Sequence, residues 1–506
     1  MKTLLRPLSD DTLSIELAHF DRIHSVPELL NSHLMTRYWF SLTLPGLVIC
    51  FLIGCSKEEF DGKSPARPKS ELSQAAMRAD LNQYHDAVLN AWAYTASKSL
   101  NQGVNVSRSR DKLLMQITEE TTPKQFAMIL RKFAASLKDG HSEVYIGTLD
   151  EPLPYSWPIG FTLVREGVMV ANLNWLNDNP GIRLGDRLIK VDGMPIDEFL
   201  DTRLEMTSAS TADAQKVIAV DRIHWSASPS VQLTFIQQDK SEVEATFQCY
   251  TERIDFSPTK QPKFCTWKAL PNQITYIRIP SFAWNNEAFA TAETDQDRDA
   301  VISVAKTEID TAFSEAENST GIILDVRGNA GGFELLSSYV AEHLVPGNFT
   351  YFELERQDST LLRSQDRYRD LGSDAFNVRR PEQPRNRQGI RHFEGQQFTG
   401  PLVVLINERC FSTTDNLCAC LQDIRLQTKF VGRPTNGGTG EPAIVDNLAN
   451  SGAKIQLCVS RVYSPNGRMI EGTGTKPDLT VEPDRDSQLQ RRDLAIEAAL
   501  ELLRSW

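Results

Sequence analysis

The chain has 506 residues, 41% of them hydrophobic and 24% charged, and carries a formal net charge of -12 at pH 7. Its length allows roughly two to four domains with ample material for a core. The balance is that of a folded globular protein, and the acidic surplus argues against a nucleic-acid partner, because no basic excess exists to neutralise phosphates.

Residues 1–34 precede Met35, and an apolar run, Tyr38 to Gly54, follows Arg37. The run is shorter than the roughly 20 residues of a membrane-spanning helix. A basic start, an apolar middle and small residues before a cleavage point match an export signal. Its end, Leu52-Ile53-Gly54-Cys55, resembles the lipobox of bacterial lipoproteins, in which the cysteine is lipidated. We expect translation to start at Met35, with 1–34 an upstream over-extension and 35–55 the signal peptide; an internal signal anchor on the full-length chain is the alternative. Ser56 resembles lipoproteins sent to the outer membrane, and the charged, Pro-containing residues 56–70 read as a tether.

Residues 71–150 read as helical. Leu81, Tyr84, Val88, Leu89 and Trp92 share one stripe. Thr122-Pro123 is a cap followed by Pro at the first helical position, and Phe126, Ile129, Leu130, Phe133 and Leu137 continue at core-facing spacing. Gly140 is expected to end that helix at C′. His141 follows directly, where the negative pole of the helix favours an imidazolium and a general base gains from such a placement. A lone histidine is more often a satisfied surface or core residue.

Residues 151–250 form a β-rich segment. Ile159 to Val164 and Val168 to Leu173 are strands about the Arg165-Glu-Gly167 turn, and Asp192-Gly193 is a hairpin signal. Gly185-Asp186, Ile189, Val191 and Gly193 match the pattern of a PDZ domain, which binds extended peptides by strand addition. Ile159, Gly160 and Phe161 then fall on the peptide-binding loop. A module that merely packs is the alternative.

Within 251–506, Ile274 to Ile279 and Gly321 to Val326 are buried strands. The second leads through Arg327-Gly-Asn-Ala-Gly-Gly332 to a helix, Phe333 to Leu344. That loop lacks the spacing of a nucleotide-binding motif, but its glycines let amides approach a substrate oxygen. Residues 357–397 read as a loop-bearing insertion. Leu402 to Ile406 is a strand buried on both faces, and Thr413 to Asp423 a helix. Ser412 stands at the junction, where free helix amides could receive the charge of an oxyanion. Ser412-Thr-Thr-Asp415 also fits a capping box, the commoner reading of such a serine. Ile455 to Tyr463 reads as one strand, and Leu494 to Leu503 as a closing helix. Cys418 and Cys420 point to different faces of a helix and read as small buried residues, not zinc ligands. Cys249 and Cys265 could pair in an exported protein.

Together these motifs resemble the family of C-terminal processing peptidases and tricorn core proteases. Asp139-Gly-His-Ser142, Asp325-Val-Arg-Gly-Asn-Ala-Gly-Gly332, Asn407 through Asp423, and Glu471-Gly-Thr-Gly-Thr-Lys-Pro-Asp478 follow in that family's order, across roughly residues 75–505. The resemblance implies an α/β fold: a ClpP/crotonase-like peptidase core, a helical N-terminal region and an inserted PDZ-like β module. It further implies a serine-type endopeptidase that cleaves exported proteins or their C-terminal tails through an acyl-enzyme, without metal or organic cofactor.

Carried over, Ser412 falls on the nucleophile. The lysine base of the processing peptidases should follow Gly437, where this chain has Gly438. The histidine base and distant glutamate of the tricorn branch fall on His141 and Glu471. That branch places a serine directly before its histidine; here Gly140 precedes and Ser142 follows, which leaves a fourth member unassigned. The amides of Thr413 and of Gly331 or Gly332 would hold the oxyanion. Implied partners are polypeptide substrates and, through lipidated Cys55, the periplasm-facing outer membrane of a bacterial envelope. Two other readings stay open. One is a non-catalytic member of the fold that binds a peptide or apolar ligand. The other is a penicillin-binding type enzyme, suggested by Ser257-Pro-Thr-Lys260, although its S-D-N and K-T-G partners do not occur. An imidazole base predicts activity falling in acid near the ordinary pKa of about 6.5.

Overall fold

Aliphatic, β-branched runs without polar interruption build the central sheet. Strands Ile274–Arg278, Gly321–Asp325, Leu402–Ile406, Thr428–Gly432 and Leu479–Thr480 lie parallel in that order, and Thr266–Leu270 closes one edge antiparallel. This computed structural model describes residues 72–147, 149–256, 263–292, 294–382 and 397–506. Cys55, the expected signal and tether, and Ser257 to Lys260 lie outside them. Every residue of Gly321–Asp325 and Leu402–Ile406 is buried, because both faces are covered. Leu324, Val404 and Ile406 pack with residues of helices Asp295–Glu315, Glu334–Leu344 and Thr413–Ile424. Their alternating neighbours Ile323, Val403 and Leu405 pack with helix Leu494–Arg504. Period-two geometry thus splits one apolar run between two cores.

The N-terminal region begins with helix Gln74–Ala91, capped by Ser73. Met77, Leu81, Tyr84 and Val88 form its buried stripe, whereas Leu89, expected on it, is 49% exposed. Helix Pro123–Ser136 starts at a reciprocal Thr122–Gln125 capping box. Its left-handed terminating residue is Lys138 (φ 53°), not Gly140. Gly140 is needed for space, since a Cβ there would lie 2.8 Å from the Phe411 ring. These helices pack on a sheet of Glu143–Tyr145, Lys454–Cys458 and Pro442–Asn447. The run expected as one strand, Ile455 to Tyr463, divides in two. Lys454–Cys458 stays in that sheet, while Ser460–Tyr463 pairs with Phe352–Arg356 in another. Val459 makes the crossing, its amide donating to the Glu441 carbonyl and its carbonyl accepting from Gln357.

Strands Gly160–Val164, Gly167–Asn172, Arg187–Val191, Ser230–Ile236 and Glu242–Gln248 form a separate antiparallel sheet with Gly160–Val164 at its edge. Its core of Trp157, Ile159, Leu188, Leu233 and Phe235 belongs to this module alone. Asp192 and Gly193 both have positive φ, as a two-residue hairpin turn requires. Cys249 and Cys265 are free thiols, so the pairing considered for them is absent; the first packs on the module core and the second in the main core. Cys418 and Cys420 are buried in the main core.

Candidate active site

The apolar strand Leu402–Ile406 ends at Asn407, and the next helix cannot begin until the chain has reversed. Ser412 takes that turn with φ 59° and ψ -123°, a conformation L-residues rarely adopt, and its side chain does not cap the helix. Asp415, the other half of the capping box, is occupied elsewhere. Its buried carboxylate accepts from the Thr435 hydroxyl and from the amides of Gly437 (3.0 Å) and Gly438 (3.1 Å). The Gly438 carbonyl in turn accepts from the Ser412 amide at 2.8 Å. With its backbone held, Ser412 sends its hydroxyl to His141, with Oγ 3.0 Å from Nε2.

His141 is positioned by Asp139. That buried carboxylate accepts from the His141 amide (2.9 Å), the Ser142 hydroxyl (2.6 Å) and Trp92 Nε1 (2.7 Å). The Phe411 ring stacks on the imidazole with centroids 4.3 Å apart. Nδ1 has no hydrogen-bond partner among the described residues. Burial pushes the imidazole down to about 4, with Asp139 pulling the other way. Desolvation thus outweighs the help that the helix end was expected to give an imidazolium, and the acid limb expected near 6.5 moves down with it.

Glu471 is also buried and makes no hydrogen bond to the His141 ring. Its Oε1 lies 2.6 Å from Lys98 Nζ, and Oε2 accepts from the Thr439 amide at 3.0 Å. Burial pushes this carboxyl up, while Lys98 and the Ser210 hydroxyl pull it back. Ser210 Oγ accepts from the Gly140 amide at 3.1 Å, so one hydroxyl connects Glu471 to the loop bearing His141. Neither Lys98 nor Ser210 carries a signal in the sequence. Lys98 sits in a short polar helix, Thr95–Gln102, and Ser210 in the loop between two module helices.

Gly438, where the resemblance expects lysine, has no room for a side chain. A Cβ would lie 2.1 Å from the Phe411 ring and 2.7 Å from Ser210 Oγ. The glycine loop approaches the serine from the neighbouring strand. A Cβ on Gly331 would be 2.8 Å from Ser412 Cβ, and one on Gly332 would be 2.0 Å from the Ala283 amide nitrogen. The Gly331 amide donates to Asn329 Oδ1 at 2.9 Å, which engages it elsewhere. The amides of Gly332 and Thr413 have no hydrogen bond to a described residue. The Thr413 hydroxyl donates to the Gly332 carbonyl at 2.9 Å and ties the two segments together.

Ile159, Gly160 and Phe161 belong to the module. Ile159 and Phe161 are buried in its core, and a Cβ on Gly160 would lie 2.8 Å from the ring of Phe256. Among the described residues, no group of three or more His, Cys, Asp or Glu side chains is placed to hold a metal.

Residues 273–481 match Peptidase family S41. The chain is 23% identical over 309 residues to the chloroplastic C-terminal processing peptidase of Tetradesmus obliquus, a match covering 61% of this chain and 54% of the relative. It is 22% identical over 342 residues to the carboxy-terminal-processing protease of Bartonella bacilliformis, covering 67% and 64%. The matches thus span less than two thirds of either relative. Among solved structures, mature CPAF complexed with lactacystin superposes with a TM-score of 0.65 at 16% identity, over 86% of this chain and 99% of that one. Mature CPAF alone gives a TM-score of 0.63 at 16% identity, over 82% and 94%. At such identities the likeness is one of fold.

Proposed function

We infer that this chain, whose residues 273–481 form a Peptidase family S41 domain, is a serine endopeptidase that uses a histidine base. One observation carries the reading: Ser412 Oγ and His141 Nε2, 271 positions apart in sequence, lie 3.0 Å from one another, and both residues are buried. As Oγ attacks a peptide carbonyl, Nε2 takes its proton and later returns it to the leaving amine. A neutral resting imidazole suits that role. The amides of Thr413 and Gly332 receive the developing oxyanion, one such donor being worth about 3 kcal/mol. Water then hydrolyses the acyl-enzyme by the same proton transfers in reverse. Glu471, held by Lys98 and Thr439, orders the site through Ser210. The crowding at Gly438 supports histidine over a lysine at that position.

The substrates are polypeptides. Among the described residues no strand pairs with the outer edge of Gly160–Val164 in the PDZ-like module, where an extended peptide could add, and Phe256 covers its first residue. The lipobox-like end at Cys55 supports a lipid-anchored protein facing the periplasm, and mass spectrometry of the native N-terminus tests that placement.

The activity is tested by incubating the purified protein with an unfolded polypeptide and with a fluorophosphonate probe. Cleavage and labelling that both vanish in Ser412→Ala are expected. Absence of both in the unaltered protein overturns the assignment and leaves a ligand-binding member of the fold.

A further inference from the structure

Two buried carboxylates lie close to the loop that carries His141, and their surroundings differ. Glu471 has a cation of its own, Lys98, at 2.6 Å. Asp139 is equally buried, yet its three donors are all neutral: the Trp92 indole, the His141 amide and the Ser142 hydroxyl. Among the described residues no lysine or arginine pairs with it. Lys98 instead reaches the carbonyl of Lys138, one residue earlier.

The charge of Asp139 therefore acts on the groups packed round it. It pushes up Tyr84 and Tyr94 from the N-terminal helices, Glu143 from the next strand, Cys458 from the strand beside that, and Glu471 itself. On His141 it is the one influence opposing desolvation. When Ser412 loses its proton, the O–H bond breaks and an N–H bond forms at Nε2, so the ring becomes a buried cation. A buried cation is costly without a counter-charge. In the familiar triad a carboxylate hydrogen-bonds Nδ1, whereas here Nδ1 has no partner among the described residues and Glu471 is already neutralised.

We propose that Asp139 is the positioning residue that both fixes the His141 backbone and supplies the negative charge balancing its imidazolium, while Glu471 with Lys98 orders the adjoining loops. This rests on Ser412 as nucleophile and His141 as base. Asp139 acts through space and through the peptide link, two residues from the ring it serves.

The test is the rate of Ser412 labelling by a fluorophosphonate across pH, on the full chain. The Oγ–P bond forms, fluoride leaves, and the proton passes to Nε2, so the acid limb reports the imidazole. Asp139→Asn should lower the plateau about tenfold or more and move the acid limb about one unit down. Lys98→Met/Glu471→Gln, which removes the ion pair as a neutral unit, should lower the plateau and leave the limb in place. Trp92→Phe keeps the carboxylate but removes one neutral donor, so the limb should move up; it also serves if Asp139→Asn fails to fold. An acid limb unmoved in Asp139→Asn or lowered in Trp92→Phe, or one that shifts with Lys98→Met/Glu471→Gln as far as with Asp139→Asn, overturns the proposal. Failure of the unaltered protein to label would instead remove the underlying assignment of nucleophile and base.

Discussion

Two neighbouring strands of the central sheet, Gly321–Asp325 and Leu402–Ile406, end side by side and each leads through a loop into a helix. The first junction is built from glycines with positive φ at 328, 331 and 332; the second forces a serine, Ser412, into a positive φ of its own. They are joined directly: Asn407 Oδ1 accepts from the Gly328 amide at 2.9 Å, and the Phe411 amide donates to the Asn329 carbonyl at 3.1 Å. The same topological position thus yields two chemical products. A loop without side chains can be pressed against its neighbour and offers amides. A loop that keeps one side chain at the tightest point offers a hydroxyl, at the cost of backbone strain.

The most severe way to break this pairing is Ser412→Ala, which should lower hydrolysis by about 10⁴-fold or more while the fold survives, as initial-rate assays beside thermal melts would show. Ser412→Gly should be equally inactive yet more stable by about 1 kcal/mol, since glycine tolerates that φ and ψ; a lower melting temperature would contradict the strain argument. Gly332→Ala strikes the other loop. Its Cβ would meet backbone atoms of Phe282 and Ala283 at 2.0–2.5 Å, so the loop must move. A loss of about 3 kcal/mol in stability, or about 100-fold in turnover with the fold retained, is expected from denaturant titration and kinetics.

Gly438→Lys sharpens the contrast between base types. The side chain must displace Phe411 from the His141 ring, so activity should fall by about tenfold or more; a gain would mean that a lysine can act from this position. The pH profile probes the base itself. Because burial lowers the folded imidazole towards about 4, the ring stays neutral well below its ordinary value. The acid limb of the rate should consequently lie below about 6.5, and a limb at or above that value would refute the desolvation. The mildest effect belongs to Asn407→Ala, which removes a hydrogen bond joining the two junctions and should cost about 1 kcal/mol by chemical denaturation.

Local pattern alone was enough for the buried strands at 321–325 and 402–406, the capped helix at Thr122, the Asp-Gly hairpin at 192–193, and Ser412 and His141 as candidates. Each rests on interactions within a few residues: period-two burial, a cap, a turn, a motif. What lay beyond it came from segments far apart in the chain. Gly140 looked like a helix terminator, but the ring of Phe411 explains it. Asp415 looked like half of a capping box, but a loop some 20 residues onward claims its carboxylate. Val459 divides one apolar run because two sheets compete for its neighbours. Lys98 and Ser210 gave no sign of their place beside Glu471, and the downward push on the His141 imidazole came only with its burial. Sequence patterns report short-range backbone preferences, whereas burial, counter-charges and steric room are set only when distant segments close on one another.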